Sequence, residues 1–240
     1  MDKEPGHTGL GGPPLVRLLA RLASVQVQAS SQPLPDRLSQ WLGWSDAIAL
    51  AGALKGAGKR NAEPVHAPAG TTCAQVREAL TQAILEDELL VVRPPPKSRM
   101  QARRMAVRSD DPDYVLYRQC YVSLQQRMEA AIGALREHLR ARLAQGAPAM
   151  VQLASVDAVM EQALMEKEFL LLGAVPSRLE ARFKALREQA QADADGADER
   201  RRQGARAWLD VFRNDMQRAL LAELDIRMQP AEGLQAALQE

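Results

Sequence analysis

Residues 113–145 read DYVLYRQCYVSLQQRMEAAIGALREHLRARLAQ. Within them Tyr114, Tyr117, Tyr121, Leu124, Met128, Ile132, Leu135, Leu139 and Leu143 recur at intervals of three and four, never two. That spacing gathers all nine on one stripe of an α-helix, whereas a strand would scatter them over both faces. Arg127, Arg136, Glu137, Arg140 and Arg142 fall mainly off the stripe. The stretch predicts a helix of about 50 Å with a heptad-like seam, at 1.5 Å of rise per residue. Gly146 and Pro148 end it. A seam of this length has to be covered by other helices, so the fold class is decided here as all-α.

Neighbouring segments extend the pattern. Leu153, Val156, Met160, Ala163 and Leu164 predict a second long helix, punctuated by Gly173 and Pro176. Leu179, Phe183 and Leu186 start a third, and the charged stretch up to Gly204 is either its solvated continuation or a loop. Trp208, Phe212, Met216, Ala219, Leu220 and Leu224 mark a strongly amphipathic helix, and Pro230 is placed to begin a short final one. Residues 113–240 therefore read as a bundle of long antiparallel, coiled-coil-like helices.

Upstream, residues 1–13 read as a flexible tail and 14–92 as a small helical module. Leu15, Leu18, Leu19 and Leu22 form one short amphipathic stripe. Residues 36–54, DRLSQWLGWSDAIALAGAL, hold two of the three tryptophans, with Leu34, Leu38, Trp41, Leu42, Ser45, Ile48 and Ala49 at helical spacing. Gly43 can split that helix in two, with Ser45 available to cap the second half. A third helix is expected from Cys73 to Leu90, capped by Thr71 or Thr72, with Val76, Leu80, Ala83, Ile84 and Leu89 inward. Residues 93–112 form a basic, proline-rich linker, since three consecutive prolines cannot enter a helix.

Composition agrees with this class. The 240 residues carry little aromatic side chain (4%), and Ala, Leu, Gln, Arg and Glu, which lose little rotamer freedom in a helix, predominate. The 31 basic and 30 acidic residues nearly cancel, which gives no global electrostatic case for nucleic acid or membrane binding. The amino-terminal MDKEPGHTGLGGPP lacks the apolar run of a signal peptide, and FLLLGAV at 169–175 is too short to span a bilayer. A soluble cytoplasmic protein without membrane insertion is expected.

Chemistry-bearing motifs are few. A di-iron bundle needs a Glu-x-x-His pair, and Leu135 stands three positions before His138. No zinc spacing, phosphate loop or nucleophile elbow occurs, so no cofactor and no metal site is expected, and the chain does not read as an enzyme. Cys73 lies near a helix start, where the dipole could lower a thiol pKa, and Cys120 beside the tyrosine stripe reads as a buried apolar group. Arg93, Lys97, Arg99, Arg103, Arg104 and Arg108 form an acid-free run that could contact phosphates, although acidic neighbours flank it and no aromatic side chain interleaves it.

The stretches LVRLLARLASVQVQASSQPLPDRLSQWLGWSDAIALAGAL, YRQCYVSLQQRMEAAIGALREHLRARLA, LLGAVPSRLEARFKALR and MQRALLAELDIRMQPAEGLQAAL together resemble the proteobacterial family called domain of unknown function 3348. The likeness covers nearly the whole chain and is weakest over 55–72 and 187–204. It implies no activity and no catalytic or binding residues. Members are encoded near membrane proteins resembling proton-channel stators and near peptidoglycan-binding outer-membrane-type proteins. The resemblance thus implies a cytoplasmic accessory to an envelope-spanning complex, with an inner-membrane stator-like protein as a partner.

The residues themselves lead to an expectation of a non-enzymatic helical adaptor that self-associates as a homo-oligomer or docks another helical protein. Its candidate contact residues are Tyr114, Tyr117 and Tyr121 on the bundle seam, and Trp41 and Trp44 on a second surface, since a unit as small as 14–54 cannot bury its own apolar faces. The cover is the bundle, a second copy or a partner. The alternative is nucleic-acid binding through the 93–108 segment, with Arg99, Arg103, Arg104 and Arg108 on the phosphates.

Overall fold

The computed structural model describes residues 13–23, 32–56, 71–92, 113–194 and 207–239. Eight helices and no strand occur among them. In chain order these are α1 (Pro14–Leu22), α2 (Leu34–Trp41), α3 (Trp44–Leu54), α4 (Cys73–Leu85), α5 (Tyr114–Leu143), α6 (Pro148–Gly173), α7 (Val175–Ala194) and α8 (Ala207–Ala237).

Local chemistry sets the boundaries. The Asp113 carboxylate accepts from the Val115 amide and caps α5. Pro148 opens α6 at its first turn, where its missing N–H is not needed. Thr72 caps α4 as part of a capping box, its hydroxyl accepting from the Gln75 amide while the Gln75 side chain accepts from the Thr72 amide. Gly43 does divide the tryptophan segment. The second helix starts one residue later, and Asp46 rather than Ser45 reaches back to the Gly43 amide at 2.9 Å.

All nine stripe residues of α5 are buried. They face α8 on one side and α6 with α7 on another. Tyr117 meets Phe212 and Tyr121 meets Glu223, so α5 and α8 run parallel. The ion pairs of Arg136 and Arg140 with Asp157, and the bond from Gln125 to the Leu172 carbonyl, set α6 antiparallel to α5. After the break at Ala174, α7 continues beside the start of α5, with Phe183 against Tyr114 and Tyr117.

The fourth wall of the bundle is α4. Its first amide donates to Gln235 at 2.8 Å, and the Leu89 carbonyl beyond its end accepts from Arg213, so it runs antiparallel to α8. Leu80, Ile84 and Leu90 enter the same core as the α5 stripe, as do Leu15 and Leu18 of α1. Helices α1 and α4 thus line the same core as α5, α7 and α8. By contrast, α2 and α3 lie outside, along α6.

One expected break is absent. Instead of starting a new helix at Pro230, α8 passes through it to Ala237. Pro230 itself is exposed, so its ring needs no room in the core, while Met228, Ala231 and Leu234 on either side stay buried and hold the axis.

Candidate functional site

The three tyrosines are not available to a partner: each is buried inside this chain's own bundle. Tyr114, Tyr117, Phe183 and Phe212 pack ring against ring, with centroids 5.0–6.2 Å apart, and Trp208 closes on Phe183 at 5.1 Å. The Tyr114 hydroxyl donates to the Pro176 carbonyl in the first turn of α7, tying α5 to the α6–α7 junction. Burial raises the pKa of all three phenols, and the neighbouring Glu223 carboxylate adds to the effect at Tyr121.

Below this cluster sits a polar knot that the sequence pattern does not announce. Glu223 has no exposed surface. Its carboxylate accepts from the Tyr121 hydroxyl at 2.9 Å, from Gln125 Nε2 at 3.0 Å and from Arg227 Nε at 2.9 Å. Gln125 also donates to the Leu172 carbonyl, and Arg227 reaches Glu168 of α6 at 2.7 Å. Both oxygens of the acid are engaged, and the knot joins α5, α6 and α8.

Both cysteine thiols are free and buried. Cys73 does stand at a helix start, but burial, and then Glu232, push its thiol up rather than down. Burial and the Asp87 carboxylate push Cys120 up to about 12. Among the described residues no three His, Cys, Asp or Glu side chains are grouped to hold a metal ion. An open cavity of about 260 Å³ near the start of α5 is lined by Asp113, Arg118, Glu180 and Lys184 among others; Lys184 is engaged by Glu180 at 2.7 Å. Arg99, Arg103, Arg104 and Arg108 lie outside the described residues. No described helix is long and apolar enough to cross a membrane.

What remains is on the surface of α3 and α6. Trp41 is half-buried, with the Arg37 guanidinium 5.3 Å above its ring. Trp44, one turn on, is 83% exposed. Ile48 and Leu54 are also exposed on α3, whose only buried residue is Ala53. On α6 only Ala154 and Leu172 are fully buried, while Met165, Phe169 (72%), Leu170 and Leu171 are exposed. The Gln152 amide, donating to the Leu54 carbonyl, ties the two helices together.

A family model matches residues 1–240. Its description is "Protein of unknown function (DUF3348)". The chain belongs to this family. No curated protein and no solved structure matches the chain.

The α6 face is the functional candidate that reading by periodicity misses. Its signal was present as an absence of pattern, because PAMVQLASVDAVMEQALMEKEFLLLG carries apolar residues around the whole helix. A helix apolar on all sides is ordinarily surrounded. This one is walled by α5 on one side and by α3 on another, and in its last two turns Phe169, Leu170 and Leu171 stay exposed while Leu172 is buried.

Proposed function

We propose that this chain is a non-enzymatic assembly protein that docks another protein surface on the outer faces of α3 and α6. The observation that carries the reading is the exposure of Trp44, Phe169, Leu170 and Leu171 on helices that are apolar nearly all round. Large aromatic and aliphatic side chains exposed together mark contact sites more often than they mark idle surface. The bundle behind them supports this role. Its aromatic cluster and the Glu223 knot hold α5, α6 and α8 in register, which presents the face on a rigid support.

The test is photocrosslinking in cells from a benzophenone amino acid at position 169 or 44, with the exposed Gln189 of α7 as control. Discrete crosslinked bands from 169 and 44, and none from 189, are expected. Absence of any protein adduct from both apolar positions would overturn the reading.

A further inference from the structure

We draw no further inference here: the strongest candidate, the surface patch of exposed apolar side chains in the last turns of α6, Phe169 to Leu171, carries nothing because no feature of the structure shows what covers it.

Discussion

The Tyr121 hydroxyl of α5 donates to the Glu223 carboxylate of α8 at 2.9 Å, and neither side chain reaches solvent. An ionised acid is costly in such a place unless every lone pair is used, and here Gln125 and Arg227 take the remainder. Together these contacts fix the register of α5 on α8 and tie both to the last turn of α6.

Removing the acid should therefore be worse than removing one donor. Glu223→Ala leaves the buried Tyr121 hydroxyl without an acceptor, leaves Arg227 only Glu168 and Gln125 only the Leu172 carbonyl, and is expected to cost about 3 kcal/mol. Tyr121→Phe leaves the carboxylate with its other partners and is expected to cost about 1–3 kcal/mol. Urea denaturation followed by circular dichroism measures both. A loss below about 1 kcal/mol for Glu223→Ala would mean the knot does not hold the helices.

Alkaline pH should loosen the same region. Tyr114, Tyr117 and Tyr121 all have folded pKa values raised above the ordinary 10.0, and Cys120 is raised from 9.0 to about 12. A raised folded pKa means the folded state keeps a proton that the unfolded chain releases. The stability tied to these groups is thus whole below pH 9, starts to fall with the thiol between pH 9 and about 12, and falls faster once the phenols join above pH 10. Each such group costs about 1.4 kcal/mol per pH unit in its window. Unfolding midpoints that are level to pH 9 and then fall are expected, and Tyr117→Phe should make the fall shallower. A midpoint unchanged at pH 11 would contradict the burial of these phenols.

The α5–α6 hairpin is clamped by ion pairs unlike those elsewhere on the surface. Arg136 and Arg140 hold Asp157 at 2.7 and 2.9 Å, and Arg136 also holds Glu161 at 3.0 Å. Arg136 and Asp157 are each only 11% exposed at the side chain, whereas Lys184 and Glu180 of α7 are largely in water. Asp157→Ala leaves two sheltered guanidinium groups short of a partner and should cost about 3 kcal/mol. Glu180→Ala should change stability by no more than about 0.5 kcal/mol. Equal effects of the two substitutions, measured side by side in urea, would remove the distinction.

Two aromatic residues should separate folding from docking. Phe212 has no exposed surface and meets Tyr114, Tyr117 and Phe183, so Phe212→Ala is expected to cost about 3–5 kcal/mol. Trp44 lies mostly in solvent, and Trp44→Ala should leave stability within about 0.5 kcal/mol while lowering the crosslink yield from position 169 in cells. Thermal unfolding reads the first effect and the crosslink yield the second.

The long helices were legible because their burial repeats. The α5 stripe from Tyr114 to Leu143, and Phe212, Met216, Ala219, Leu220 and Leu224 of α8, are buried as their spacing requires. Helices at the margin of the core carry weaker marks. Leu153 of α6 has helical spacing yet is exposed, since α6 touches the bundle along a narrow line that Ala154 and Leu172 fill. Pro230 looks like a boundary in one dimension and is tolerated because its side of α8 faces water. The placement of α4 against α8 depends on Arg77 reaching Asp225 and Glu232, contacts across about 150 residues that no local pattern encodes. For the surface site, Trp44 was legible as a residue needing cover, and Phe169 to Leu171 were not, because an even apolar distribution looks the same in a buried helix and in one awaiting a partner.

The central claim is that the α5 seam closes inside the chain's own bundle while the outer face of α3 stays open for docking. Hydrogen exchange of the purified full-length chain addresses both parts in one experiment. Amides of α5 between Tyr117 and Leu139 are expected to exchange last, only with global unfolding, and those of α3 to exchange early. Early exchange along α5, with α3 protected as long as the core, would contradict the account and return the docking surface to the seam.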